Sequence, residues 1–197
     1  MKTRILLQIA LIGAATHLSA LALPITPSSG VLNTSRWQGN ETGESGIQTA
    51  IASYLGTSTE LYKQDHELPL PLPAPEGTLA SSYSTVFLNT PEDPQEATIT
   101  YIGGLFVGPT AFLLVKDGNQ EPAWYLFNLT TLGWNGTETL LLTDFWPNQG
   151  AISHVSLFGT QQQPGPGPTV PDGGTTSVLL GVALLILASL RPRTRQL

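Results

Sequence analysis

Between residues 81 and 160 the chain repeats one pattern, short apolar runs broken by turn residues about every ten positions. In SSYSTVFLN, Tyr83, Thr85 and Phe87 alternate with Ser82, Ser84 and Val86. In ATITYIGG, Ala97, Ile99 and Tyr101 share one face, and Thr98 and Thr100 take the other. A period of two marks strands with one buried face. AFLLVKDGNQEPAWYLFNL is a pair of apolar runs joined by Lys116-Asp117-Gly118-Asn119, a hairpin-like turn cluster. ETLLLTDFW and AISHVSLFGT read as two further strands, separated by the breaker PNQG. Short strands at this spacing predict a mainly β domain, a β-sandwich of jelly-roll type. One segment differs. GESGIQTAIASYLG sets Ile47, Ala50, Ile51, Tyr54 and Leu55 at helical spacing and closes on Gly56, which predicts one helix on or capping the sandwich. ELPLPLPAPEG alternates proline with leucine or alanine and is expected as a surface loop or an edge.

Both ends of the chain carry apolar runs of another kind. Lys2 and Arg4 precede the apolar stretch Ile5 to Ala15, and Ala20-Leu21-Ala22 fits a small-x-small cleavage site. This is the layout of a secretory signal peptide over residues 1–22, read by the Sec translocon and signal peptidase. The mature chain is then expected to start near Leu23. At the other end, residues 177–190 are apolar, and Arg191, Arg193 and Arg195 follow. As a helix this run covers about 21 Å, against about 30 Å of hydrocarbon, so it makes a short anchor. The positive-inside rule holds the three arginines on the cytoplasmic side. Ahead of it, residues 161–169 form a Gln/Pro/Gly linker that favours extended backbone.

Domain, linker, Val170-Pro171-Asp172-Gly173-Gly174, marginal helix and basic tail follow in that order. The arrangement resembles the PEP-CTERM sorting signals of Gram-negative bacteria, and most of all the VPDSG variant. The resemblance implies that residues 170–195 are a sorting signal read by an exosortase, with cleavage near the motif. It also implies export through the inner membrane, transient anchoring by the helix, and transfer to the cell surface or extracellular matrix. Two departures stand out: Pro-Asp-Gly replaces Pro-Glu-Pro, and Gly173 occupies the serine position of VPDSG. The alternatives are a plain C-terminal membrane anchor and a GPI signal, although the latter should end in its apolar tail rather than in arginines. Residues 116–160 also resemble a recurrent ectodomain type of PEP-CTERM proteins, which bears on fold and export and not on chemistry.

Composition narrows the function of the body, residues 23–160. The chain has 197 residues and no cysteine, so it can have neither disulfides nor thiolate metal ligands. The formal net charge is -6. Five of the eight basic residues lie in the terminal segments, while all fourteen acids lie from Glu41 to Asp172. Only Arg36, Lys63 and Lys116 offset them, a surface that repels nucleic-acid phosphates.

The candidate chemistry is thin, and no enzyme is expected. His66 and His154 remain after signal cleavage, and no Gly-x-Ser-x-Gly elbow accompanies them. Ser153 and His154 are neighbours on an expected strand, so they point to opposite faces and make a poor nucleophile and base. Asp65-His66-Glu67 is one local cluster without the separated ligands of a zinc site. Asp117, Asn119 and Asp144 offer oxygen ligands for calcium, but turn chemistry accounts for the first two. No cofactor or metal is expected. Trp124, Trp134 and Trp146, with Tyr125, stand open between core packing and a platform for extracellular polysaccharide. Four Asn-x-Ser/Thr sequons start at Asn33, Asn40, Asn128 and Asn135 and are incidental in a bacterial host. The expected function is an exported surface or matrix protein sorted by an exosortase. The alternative is a lectin-like module on a plain C-terminal anchor.

Overall fold

The computed structural model describes residues 22–88, 93–117, 120–147 and 150–165. The expected signal peptide and C-terminal helix lie outside them, except for Ala22. The described part is mainly β with one short helix, two main sheets and no closed barrel. One sheet orders its strands β1 (Ala22–Ile25), β9 (Thr139–Leu142), β5 (Glu96–Tyr101) and β4 (Tyr83–Leu88). The other runs β2 (Arg36–Gly39), β8 (Trp124–Asn128), β7 (Phe112–Asp117), β10 (Ile152–Gly159) and β3 (Thr59–Asp65). A ribbon of β6 (Phe106–Val107) and β11 (Gln161–Gln162) completes the set. The first two residues of the expected linker thus hydrogen-bond to the body, whose compact unit closes at Gln162.

The alternation read from the sequence sets the core. Tyr83, Ala97, Ile99, Leu140 and Leu142 from the four-stranded sheet share one apolar cluster with Leu113, Val115, Phe127, Val155 and Leu157 from the five-stranded sheet. The two sheets therefore bury their facing sides against each other. The helix α1 (Glu44–Leu55) covers the far side of the larger sheet. Its Ile47 and Ile51 pack on Phe112, Leu114, Trp124, Leu126 and Phe158, and Tyr54 stacks on Trp37 with ring centroids 4.7 Å apart. Strand β7 explains its own unbroken apolar run. Leu113 and Val115 face the other sheet, while Phe112 and Leu114 face the helix. A strand covered on both faces loses the polar half of the alternation.

The hairpin expected around Lys116–Asn119 forms, with Val115 opposite Tyr125 and Lys116 opposite Trp124. The proline run lies in an exposed loop, and its far end is held by reciprocal backbone bonds between Lys63 and Glu76. Several elements escaped the sequence pattern. Strand β3 carries Lys63, Gln64 and Asp65, and β2 carries Arg36 and Gln38, so neither shows a clean apolar face. Strand β1 contains Pro24 and pairs parallel to β9 at the sheet edge, where a missing N–H is tolerated. A jelly roll is built from antiparallel strands, so this parallel pair departs from that pattern.

Tyr83 fastens the end of the smaller sheet. Its hydroxyl donates to the Gly136 carbonyl at 2.7 Å and accepts from the Val107 amide at 2.9 Å. Burial pushes the pKa of this hydroxyl up, so it stays protonated and keeps its donor. Gly136 has φ +91°, and a Cβ there would collide with the Val107 carbonyl, so only glycine fits.

Three substitutions test this architecture in urea unfolding of the detergent-solubilised chain, followed by tryptophan fluorescence. Leu113→Ala and Leu114→Ala should each lose about 2–5 kcal/mol although their side chains enter different cores. A loss below about 1 kcal/mol for Leu114→Ala would show that the helix layer is dispensable. Tyr83→Phe should lose about 1–3 kcal/mol, because it strands a buried carbonyl and a buried amide.

Candidate functional site

A concavity of the described body lies where the turn between β7 and β8 meets the loop after β9. It is an open cleft of about 390 Å³. Tyr125 and Trp146 form its buried base, and Gln120, Glu121 and Asp144 stand around it. Pro27, Pro122 and Pro147 supply the remaining walls. Burial pushes the Tyr125 hydroxyl pKa up, so the base of the cleft is uncharged.

Its walls are tied together by short bonds. Asp117, only 3% exposed, accepts from the Gln120 amide at 2.9 Å and from the Ala151 amide at 2.6 Å. The Trp146 indole N–H donates to the Pro122 carbonyl at 2.8 Å. Gly150 makes room for this knot, since a Cβ there would lie 2.6 Å from the Asp117 carboxylate and from the Trp146 Cβ. The loop after β9 carries unusual backbone. Asp144 has φ +62° and Trp146 has φ +48°, with the fully buried Phe145 between them. A bulky residue in the left-handed region is strained and persists only where its surroundings enforce it.

The three tryptophans part company. Trp124 lies under the helix, with its indole N–H donating to Glu41 at 2.9 Å. Trp134 sits in the core between the sheets and donates to the Glu138 carbonyl at 2.8 Å. Trp146 reaches the cleft. The sequence could not sort them, because all three are aromatic residues near turns. Asp117 spends its carboxylate on turn and loop amides, and Asp144 stands at the cleft. Asn119 lies outside the described residues. Among the described residues no group of three His, Asp or Glu side chains is placed to hold a metal. The sequon residues Asn128 and Asn135 accept hydrogen bonds from backbone amides two or three positions on, which makes them turn formers.

The histidines are structural in their contacts. His66 packs edge-on against Phe87 at 5.1 Å. His154 is 9% exposed, beneath the helix, with Nδ1 3.7 Å from Asp65. Burial, helped by Lys63 and Lys116, lowers its pKa to about 3. It is therefore neutral at neutral pH. Ser153 gives its hydroxyl hydrogen to the Lys116 carbonyl at 3.0 Å rather than to an imidazole.

The motif Val170–Gly174 and Arg191, Arg193 and Arg195 lie outside the described residues, as does Ala20, while Ala22 opens β1. The family model of the VPDSG-CTERM motif matches residues 169–193. These residues are a PEP-CTERM-like exosortase sorting signal. The VPDSG-CTERM signal implies an exported protein, processed by an exosortase and destined for the cell surface or beyond. The match holds with Gly173 in the serine position. No curated protein and no solved structure matches the chain. Among the described residues no helix is long and apolar enough to cross a membrane.

The buried histidine makes stability depend on pH. Between pH 6.5 and about 3 the unfolded chain binds a proton at His154 and the folded chain does not. Stability should therefore fall on acidification through that window, by up to about 1.4 kcal/mol per pH unit from this group. Glu60, whose carboxyl is raised by burial, works in the opposite sense just above its ordinary value. Urea unfolding of wild type and His154→Gln across pH 4 to 7 isolates the histidine: the variant should show the shallower acid slope.

Proposed function

We propose that this chain is a non-enzymatic surface or matrix protein, a β-sandwich body delivered by a disposable C-terminal tag. The observation that carries the reading is the VPDSG-CTERM match at residues 169–193. The folded unit ends at Gln162, so prolines 164, 166 and 168 lie between the last strand and the motif. A proline-rich spacer of this composition favours extended backbone, which suits a motif read by a membrane-embedded processing enzyme. Pro171 favours extended backbone, and Gly173 and Gly174 leave the chain bare, which suits a protease-like cleft. The apolar run 177–190 and the arginines after it hold the precursor in the inner membrane until the exosortase acts.

At the other end, residues 1–22 act as the signal peptide. A cut after Ala22 leaves Leu23, Pro24 and Ile25 to form β1, and the fully buried Ile25 keeps its place in the core. The non-enzymatic part of the reading is supported by the contacts of Ser153 and His154. The hydroxyl serves a backbone carbonyl, and the imidazole is buried and neutral.

Mass spectrometry of the protein produced in an exosortase-bearing host tests the reading at both ends. Extracellular molecules should begin near Leu23 and end close to residues 170–174. Replacing Asp172 and Gly173 with bulky residues should leave full-length precursor in the inner membrane. Extracellular molecules that retain Leu197, or unchanged display of the variant, would overturn the proposal.

A further inference from the structure

The cleft at Trp146 is prepared for a ligand before one arrives, and its chemistry restricts what that ligand is. Its two loops are cross-tied through Asp117 and through the Trp146 indole, so little ordering remains to be done on binding. The backbone at Asp144 and Trp146 is strained, and strain of this kind concentrates at binding and catalytic sites. Phe145, fully buried between them, anchors the loop and so enforces that strain. A volume of about 390 Å³ falls in the range of about 300–1,000 Å³ for small-molecule sites.

The lining combines carboxylate acceptors with apolar surface. Glu121 and Asp144 are exposed and enter no ion pair among the described residues. Gln120 adds an amide that both donates and accepts. The Arg36 guanidinium donates to the Pro27 carbonyl at one wall, but the lining itself holds two carboxylates and no lysine or arginine, and the whole body is acidic. Phosphates, sulfated glycans and uronates are therefore repelled. A ligand with several hydroxyl donors and an apolar C–H face matches the carboxylate acceptors and the proline and aromatic carbons of this lining.

We propose that the cleft between Glu121 and Asp144 binds a sugar residue of a neutral polysaccharide. Asp144 and Glu121 accept hydrogen bonds from its hydroxyls, and Trp146, Tyr125 and the prolines cover its C–H face. This goes beyond the sorting reading and is independent of it: the cleft belongs to the body, whichever way the body is exported.

The test uses the full-length chain in detergent. Its probes are six-residue oligomers of β-1,4-glucan, α-1,4-glucan, mannan and galactan, with polygalacturonate and chitosan oligomers as the charged comparisons. At least one neutral oligomer should bind, and polygalacturonate should not. Asp144→Asn is the key variant, because asparagine tolerates the left-handed backbone and keeps the fold while removing the charge. It should weaken the neutral oligomer at least tenfold with an unchanged thermal melt, and Glu121→Gln should weaken it too. Trp124→Phe, under the helix, should leave binding as it is. Failure of all four neutral oligomers, binding of polygalacturonate as strong as theirs, binding of chitosan alone, or indifference of the site to Asp144→Asn would each overturn the proposal.

Discussion

The structure depends on one strand being buried from both sides. Phe112, Leu113, Leu114 and Val115 are consecutive, and each is at most 4% exposed. Odd and even positions of β7 point to opposite faces, so the strand can bury all four only if two different layers cover it. The smaller sheet is one layer and α1 is the other. Burying a side chain of this size contributes about 1.5–3 kcal/mol, so the four together outweigh any surface interaction in the molecule. The body contains no cysteine, so no disulfide can substitute for this packing.

That double burial also decides where chemistry can lie. The faces next to β7 are occupied, and the cleft at Trp146 lies beyond them, where loops meet at the sheet ends. Several polar groups taken inside are bound up in structure: Tyr83 links β6 to the loop before β9, Asp117 ties the hairpin to the loop before β10, and Ser153 caps a carbonyl. His154 is neutralised beneath the helix by burial. The cleft at Trp146 differs, since Asp144 and Glu121 are exposed beside a base of buried aromatic rings.

Address and body divide the work between them. The address is a linear code, matched at residues 169–193 through the order of its residues along the chain. The body has no such code. Its surface is acidic and its folded unit closes at Gln162, ahead of the matched residues 169–193.

The VPDSG-CTERM address was readable from sequence alone, because a motif, an apolar run and an arginine cluster are local and carry their meaning in order. So were α1 and strands β4, β5, β7, β8, β9 and β10, whose periods of 3.6 or 2 are written along the chain. Strands β1, β2 and β3 were not readable: they are edges, and their polar or proline-bearing sequences become strands only because a partner offers its backbone. The roles of the tryptophans were also settled in three dimensions. Trp124, Trp134 and Trp146 share one chemistry, and only the packing of the helix, the second sheet and the loop after β9 assigns each its surroundings. Sequence spacing sets the face of an element on which a residue stands, while contact across elements sets what that face meets.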